Sequence, residues 1–399
     1  MSSVTGSAAA DVTEVICLGE SMVTFLPSRP GRLADVPSFA RAIGGAESNV
    51  ACALAASGHR VKWVSRVGSD GFGDHLIREI SSYGVDTSAV GRDPWRPTGI
   101  YFRTATDRSA DGHEVVYYRA GSAASAMSPA TVAEADVTGA RVLHLSGITA
   151  ALSADCLDLM RRLTRPRAGR PLVSFDVNHR PRLWPDPAAA HVLLDLARGA
   201  DLVFVGEDEA EAAWGVRGAD AVRAALPEPE TVVVKQGARG ATVFTREGVR
   251  PGPPEAGTPG RPGQWTPGHR AEGDGGRAVR EGAGAVRDGA RPGADPGPAP
   301  EDTVTFVSAP RVEVIAPIGA GDAFAAGYLS AALRALPVRD RLRHGHLMAA
   351  AALTVPGDLG TPPATARADR LVALDDAAWG TLRLGPGWTS AVDEEVRTP

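Results

Sequence analysis

The sequence predicts an α/β protein built on a doubly wound, mostly parallel sheet with helices on both faces. Short apolar runs rich in Val, Ile and Phe alternate with helical patterns over most of the chain, which is typical of such a sheet. The 399 residues are 43% hydrophobic and 22% charged, enough to bury a large core. Ligands of these sheets bind beyond the carboxyl ends of the strands, so the residues that follow each strand are candidates for function.

Strands and helices are predicted in alternation along the chain. The central strands are predicted at residues 15–19, 61–67, 142–146, 172–176, 202–205 and 232–235, followed by a strand at 241–245. Helices are predicted between them at residues 70–83, 156–165, 188–198 and 207–214.

Two segments depart from this alternation. Residues 22–42 and 99–119 mix polar and apolar side chains in the way of strands with one exposed face. We expect strands within 22–42 and 96–120 to form a small separate sheet that closes over a ligand as a lid. Closure would exclude water from the site.

One internal segment has a different composition. Residues 250–302 contain Gly, Pro, Arg, Ala and acidic residues with almost no large apolar side chains, so they cannot bury enough surface to offset their ordering entropy. We expect a disordered insertion there, within a main domain at 12–369. Residues 370–399 are predicted to be a C-terminal extension that packs partly on this domain.

Composition and charge favour small-molecule chemistry. The net charge is −5 and there is no long basic run, so neither a nucleic acid nor an anionic membrane is an expected partner. A basic and then apolar leader is missing at the N-terminus, and no apolar stretch is long enough to cross a bilayer, so we expect a cytoplasmic protein. The three cysteines lie in apolar runs and indicate neither a disulfide nor a zinc site.

The most informative motif is Gly319-Ala320-Gly321-Asp322, a small-residue turn that leads into an apolar helix. Small residues let consecutive backbone N–H groups point at one spot, and the helix dipole reinforces them against negative charge. The Asp could accept a proton from an attacking hydroxyl, as phosphoryl transfer requires. The alternative is that Asp322 only caps the helix.

A second glycine turn lies far upstream, at Gly44-Gly45-Ala46-Glu47-Ser48-Asn49, before a helix that ends at Gly58. Together the two turns resemble the paired signatures of the ribokinase-like (PfkB) carbohydrate kinases. The resemblance implies a ribokinase-like fold with a β-sheet lid, ATP and Mg²⁺ as cofactors, and a homo-oligomer formed through the lid. It also implies Asp322 as the catalytic base, with Gly319, Ala320 and Gly321 as the anion hole.

Further residues at strand ends match this family. The strand at 172–176 leads to Asn178 and Arg180, and the resemblance implies that Asn178 and Arg180 contact the nucleotide and that Arg180 also reaches the sugar. By residue type alone, Arg180 would be a surface arginine. Glu209 matches the glutamate that organises the metal, although Gly206 stands where the family commonly has Asn; Glu209 could instead favour the helix N-terminus.

A glycine turn after the strand at 232–235 resembles the nucleotide-binding turn of the family. Its residues Lys235, Gly237 and Gly240 are implied to bind ATP together with Gly319 and Gly321. A plain β-hairpin with glycine turns is the competing interpretation.

Three segments resemble one subgroup, the 2-keto-3-deoxygluconate kinases: those beginning at Tyr117 and Leu143, and the segment that contains Arg180. The resemblance implies ATP-dependent phosphorylation of this sugar acid at its 6-hydroxyl; a fructokinase, another sugar kinase and a non-catalytic sugar-binding relative stay open. It implies that the sugar is bound by Gly45, Ala46, Glu47, Ser48, Asn49, Tyr101, Tyr117, Arg119, Ile148, Arg180, Asp322 and Asp358. Arginines and tyrosine hydroxyls are suited to a carboxylate taken out of water.

One position departs from the family. Relatives usually have an Asp at the position of Ala316, and in several of them it helps to hold an activating monovalent cation. That implication does not carry over to this chain.

Overall fold

A computed structural model describes residues 12–29, 31–104, 115–184, 190–246 and 302–390. Its strands are β1 (Val15–Leu18), β2 (Met22–Pro27), β3 (Phe39–Gly44), β4 (Val61–Gly68), β5 (Val90–Asp93), β6 (Ile100–Arg103), β7 (Val115–Tyr118), β8 (Val142–Ser146), β9 (Leu172–Asp176), β10 (Leu202–Gly206), β11 (Thr231–Lys235), β12 (Gly240–Arg246), β13 (Asp302–Ser308), β14 (Arg311–Val312) and β15 (Arg383–Leu384). Its α-helices are α1 (Ala46–Ala56), α2 (Gly71–Ser82), α3 (Gly147–Ala150), α4 (Ala154–Thr164), α5 (Ala190–Arg198), α6 (Glu207–Trp214), α7 (Ala219–Ala225), α8 (Ala320–Leu333), α9 (Val338–Leu353), α10 (Thr365–Val372) and α11 (Asp376–Thr381).

The main sheet has nine strands among the described residues, in the order β13-β12-β11-β10-β9-β8-β1-β4-β5. All pairs from β11 to β5 are parallel, whereas β12 pairs antiparallel with both β11 and β13. Each predicted central strand is confirmed to within about two residues. The predicted helices are confirmed similarly, with α2 starting after Asp70, whose carboxylate accepts the N–H groups of Phe72 and Gly73.

Helices cover both faces of this sheet, so alternate residues of each strand enter different hydrophobic cores. In β1, Val15 and Cys17 pack with α1, α8 and α9, while Ile16 and Leu18 pack with α4 and α5. The central strands are buried on both faces and are accordingly mostly apolar. The doubly wound architecture predicted from the sequence is confirmed.

The predicted small separate sheet is also confirmed, with the strand order β3-β2-β6-β7. Strands β2 and β6 pair in parallel, and the outer pairs are antiparallel. Phe25 of β2 and Phe102 of β6 stack with their ring centroids 4.7 Å apart, which joins the two central strands of this sheet.

The predicted insertion at 250–302 lies outside the described residues except for Asp302, which begins β13. Arg246 and Asp302 lie opposite each other in the β12–β13 ladder, so the segment connects two neighbouring antiparallel strands. None of the described helices is both long and apolar enough to span a membrane.

The described part of the predicted C-terminal extension, residues 370–390, joins the same core. Strand β15 pairs with β14, and Trp379 and Trp388 are buried. The guanidinium of Arg343, in α9, lies 4.6 Å from the centre of the Trp379 ring and donates to Val372 O at 2.8 Å. The boundary predicted at residue 369 lies within α10.

We predict that Trp379→Ala lowers the free energy of unfolding by about 3–5 kcal/mol, because it leaves a cavity beside the buried guanidinium. Trp379 is 1% exposed, and denaturant unfolding followed by circular dichroism measures the loss. The matched control is Trp95→Ala, since Trp95 is 91% exposed and its removal should change stability by less than about 0.5 kcal/mol. Equal effects of the two substitutions would contradict this interpretation of the C-terminal segment.

Candidate active site

The turn before α8 requires a glycine. Gly319 has φ 76° and ψ −6°, in the left-handed region, and a Cβ there would overlap with the main-chain oxygen of Asp358. This conformation directs the chain into α8, whose first amides, including those of Ala320 and Gly321, lack an acceptor within the helix. The positive end of the helix dipole lies at the same place, so the turn forms a site for an anion.

Asp322 lies on the first turn of α8 and is held by two asparagine side chains. Its Oδ2 accepts a hydrogen bond from Asn49 Nδ2 at 2.9 Å, and its Oδ1 accepts one from Asn178 Nδ2 at 3.4 Å. Asn178 has φ 41°, a left-handed conformation that Asn tolerates better than most residues. The sequence resemblance assigned Asn49 to the sugar and Asn178 to the nucleotide; the structure places both against Asp322.

The environment of Asp322 suits a base at neutral pH. Burial raises the pKa of its carboxyl to about 7, with a further rise from the negative charge of Asp176. The hydrogen bond from Asn49 and the positive charges of Arg180 and Lys235 oppose this shift. A carboxylate with such a pKa is divided between its two protonation states near pH 7, which general base catalysis needs.

A half-buried lysine lies beside the anion site. Lys235 Nζ donates to both carboxylate oxygens of Asp176, at 3.1 and 2.9 Å, and a Cβ placed on Gly321 would lie 3.4 Å from it. Burial lowers the pKa of Lys235, but the charges of Asp176 and Glu209 outweigh it and the pKa is raised. Lys235 therefore stays protonated and supplies a positive charge next to the first amides of α8.

Glu209 and Arg180 complete the charged groups on this side. Glu209 Oε2 accepts the N–H of Gly206 at 2.8 Å, so the helix-capping interpretation of Glu209 is realised. Its Oε1 lies 3.7 Å from Arg180 Nη1, and the Arg180 side chain is 52% exposed. Burial raises the pKa of Glu209, while the charge of Lys235 lowers it.

The predicted nucleotide turn is a hairpin between β11 and β12. Its two glycines differ in environment. Gly240, with φ 141°, lies against the backbone of β13, where a Cβ would overlap with Val307 O. Gly237, with φ 59°, has no heavy atom within 4 Å of a Cβ placed on it among the described residues, so its backbone is open to a ligand.

The small sheet contributes aromatic and charged groups to the opposite side. Tyr101 donates its hydroxyl hydrogen to Asp358 Oδ2 at 2.7 Å, and its ring lies 5.4 Å from that of Tyr117. The guanidinium of Arg119 forms an ion pair with Glu20, which also accepts the Ser122 hydroxyl. The Arg119 side chain is buried, and its Nε has no hydrogen-bond partner among the described residues.

The residues of the first glycine turn have different environments. Gly45 packs so closely on the main chain of Glu20 that a Cβ would overlap with Glu20 O. Ala46 is buried, and Ser48 donates to Ser21 Oγ at 2.9 Å. Glu47 is completely buried and accepts the hydroxyl groups of two residues, Ser146 and Thr149, at 2.8 Å each. Burial raises its pKa, against those two hydrogen bonds.

Ile148 is half-buried in α3, between Ser146 and Thr149, the two hydroxyl donors to Glu47.

Sequence reasoning passed over three functional candidates: Asp176, Glu20 and Arg103. Asp176 is a charged residue at the end of a buried strand, and this position could have marked it as a functional candidate. Arg103 follows Tyr101 by two residues in β6 and therefore lies on the same face, which was another. Glu20 gave no local signal, because its partner Arg119 is distant in the chain.

Comparisons with known proteins identify similar sequences and folds. The sequence profile of the pfkB family carbohydrate kinases matches residues 12–258 and 297–365. A 2-dehydro-3-deoxygluconokinase of Bacillus subtilis is 31% identical over 358 residues, 88% of this chain and 92% of that protein. A protein described as probable fructokinase-3 of Arabidopsis thaliana is 29% identical over 239 residues, 58% of this chain and 68% of that protein.

Solved structures share the fold. The crystal structure of a PfkB protein from Polaromonas sp. JS666 matches with a TM-score of 0.67 and 31% identity, over 91% of this chain and 100% of that chain. The crystal structure of a putative ribokinase II from E. coli in complex with ATP and Mg²⁺ matches with a TM-score of 0.68 and 19% identity. The match covers 90% of this chain and 98% of that chain. The ribokinase-like fold expected from the sequence is confirmed.

We predict that Lys235→Met lowers the free energy of unfolding by about 3–5 kcal/mol, because it leaves the Asp176 carboxylate buried without its counter-charge. Adding Asp176→Asn should recover most of this loss, as urea unfolding of the parent protein, the single variant and the double variant would measure. Lys62→Met is the control, since Lys62 pairs at 3.9 Å with a more exposed carboxylate, that of Asp136, and should cost less than about 1 kcal/mol. A double variant no more stable than Lys235→Met would contradict the pairing.

Proposed function

We propose a substrate and residue roles for this chain, which belongs to the pfkB family of carbohydrate kinases. The enzyme transfers the terminal phosphoryl group of ATP to the 6-hydroxyl of 2-keto-3-deoxygluconate and forms 2-keto-3-deoxy-6-phosphogluconate and ADP. The observation that carries this proposal is the Asp322 carboxylate, held by Asn49 and Asn178 beside the first amides of α8.

Asp322 is the catalytic base in this proposal. It takes the proton of the 6-hydroxyl as the oxygen attacks the γ-phosphorus, and the bond between the γ-phosphorus and the oxygen bridging to the β-phosphate breaks. The amides of Gly319, Ala320 and Gly321 and the ammonium of Lys235 stabilise the negative charge of the phosphoryl group in flight. Asn49 and Asn178 keep the carboxylate oriented toward the hydroxyl.

The nucleotide would lie along the carboxyl ends of β10 and β11. The open backbone at Gly237 supports a close approach there, and Arg180 is exposed enough to reach a phosphate. The buried environment of Gly240 supports a packing role for that residue.

Glu209 fits a magnesium ion held mainly by the nucleotide. No three His, Cys, Asp or Glu residues within the described ranges are grouped to hold a metal by themselves. Mg²⁺ in phosphoryl-transfer sites usually takes one or two carboxylates, waters and substrate phosphates, so Glu209 would suffice as the protein ligand if its Oε1 exchanged the exposed Arg180 guanidinium for the ion. When bound, the ion would neutralise charge on the phosphate oxygens.

A sugar acid is favoured over a neutral sugar by the buried guanidinium of Arg119. Its pairing with Glu20 fixes the guanidinium in place, and its buried Nε–H has no acceptor among the described residues. A substrate carboxylate would satisfy that donor with a charge-assisted hydrogen bond. The second candidate is a fructokinase, which the similarity to a probable fructokinase supports.

We predict that Asp322→Asn lowers kcat by about 10²- to 10⁴-fold, because an amide cannot accept the proton. Sugar binding, measured by calorimetry, should stay within a few-fold of the parent value. For the parent enzyme, kcat/KM should fall as the pH decreases below about 7, where the Asp322 carboxyl becomes protonated. Unchanged turnover of Asp322→Asn would remove the assignment.

Asn49→Ala tests the cause of this pH dependence. The hydrogen bond from Asn49 lowers the pKa of Asp322, so its removal should raise the pKa and move the acidic limb of the profile to higher pH. A limb that stays in place would mean that another group controls it.

We predict that a panel of sugars and sugar acids, assayed by ADP release, shows the highest kcat/KM for 2-keto-3-deoxygluconate. Arg119→Met should then raise the KM for the sugar acid by about 10- to 100-fold, which corresponds to the loss of a charge-assisted hydrogen bond. The KM for fructose should change little. Because Arg119→Met leaves Glu20 unpaired, the double variant with Glu20→Gln is the matched test in a folded background. Fructose as the best substrate, with Arg119→Met unaffected, would favour the fructokinase.

A further inference from the structure

Arg103 is a buried cation of the small sheet that has no role in the function proposed above. Its side chain is 4% exposed, in β6, and Arg103 Nη2 lies 3.1 Å from Asp358 Oδ1. The same nitrogen donates to Pro356 O at 2.8 Å. Arg103 thus binds both the side chain and the backbone of the turn that follows α9.

Two further residues of the small sheet meet at the same carboxylate. Tyr101, on the same face of β6, donates to Asp358 Oδ2 at 2.7 Å. Gly44, the last residue of β3, lies so close that a Cβ would be 2.6 Å from Asp358 Oδ2 and would overlap with the Tyr101 hydroxyl. Both oxygens of Asp358 therefore lie against side chains of the small sheet, in a closely packed junction.

The other side of this turn lies against the anion site. The main-chain oxygen of Asp358 occupies the space where Gly319 would carry a Cβ, and Gly319 begins the turn that presents the amides of α8. Gly360, two residues on, packs equally closely on Ala351 O of α9. A contiguous set of contacts therefore runs from β6 through Asp358 to the first glycine of the anion site.

We propose that Arg103 is a positioning residue that couples closure of the small sheet to the geometry of the anion site, through the turn at Pro356 and Asp358. This inference rests on the proposed kinase function. Through the coupling, the anion site is fully formed only when the lid is closed. Phosphoryl transfer to the sugar is then favoured over transfer to water. The buried ion pair is suited to this role, because separating its charges is costly. The contact is therefore either made or broken, which gives the lid two distinct positions.

The test compares Arg103→Met with the parent enzyme, using whichever sugar the parent phosphorylates best. Displacement of the anion site should lower kcat by about 10- to 100-fold with little change in the KM for ATP, since small misplacements of reacting groups cost up to about that factor. The ratio of ADP released to sugar phosphorylated should rise above one. Arg103→Lys, which keeps the charge, should restore part of kcat and bring the ratio of ADP to phosphorylated sugar closer to one.

Hydrogen exchange gives a readout that does not depend on the sugar. In Arg103→Met, exchange should quicken at residues 356–360 and also at 317–322, which Arg103 does not touch. If the parent phosphorylates no sugar, the proposed function fails and this measurement alone decides the coupling. Faster exchange confined to 356–360 would overturn it.

Two variants separate coupling from loss of stability. Arg103→Met with Asp358→Asn removes the unpaired buried carboxylate, so it should regain thermal stability without regaining the one-to-one ratio of ADP to phosphorylated sugar. Arg223→Met is the matched control, because Arg223 is also buried and pairs with Asp302 at 2.6 Å while donating to Pro229 O. Equal losses of turnover and coupling in Arg223→Met and Arg103→Met would assign Arg103 a structural role only.

Discussion

The burial of the Asp322 carboxylate at the beginning of α8 is the constraint on which the rest of the site depends. A desolvated carboxylate has a raised pKa and needs hydrogen-bond donors, and two asparagine side chains supply them. The positive end of the α8 dipole lies at the same place, so the first amides of the helix can stabilise negative charge there. The raised carboxyl pKa and the anion site therefore both belong to the first turn of α8.

The parallel sheet brings the partners of this carboxylate together. Strands β9, β10 and β11 are neighbours in register, so Asp176, Gly206 and Lys235 end at the same edge. Asp176 holds Lys235 in place and keeps its pKa high, and the lysine in turn offsets some of the negative charge around Asp322. The buried charges balance one another, which lets a carboxylate and an anion site occupy one desolvated edge.

The small sheet contacts the main domain through charges as well as through apolar side chains such as Val23 and Ile43. Glu20, directly after β1, binds Arg119, and Asp358, after α9, binds Tyr101 and Arg103. Each contact joins a carboxylate of the main domain to a residue of the small sheet or of the segment that follows it. Ion pairs need defined distances and angles, so they help to fix the position of the small sheet on the main domain.

Apolar periodicity and small-residue turns act over a few neighbouring residues, so the strands, the small sheet and the turn before α8 could be predicted from the chain alone. The positions of Asp322, Lys235 and Glu209 could be predicted too, since each follows a recognisable turn or strand. The contacts of Asn49 with Asp322, 273 residues away, and of Arg103 with Pro356, 253 residues away, are defined by the folded structure. Such contacts follow from how the two sheets are juxtaposed, and residue type alone does not encode which buried charge will meet which.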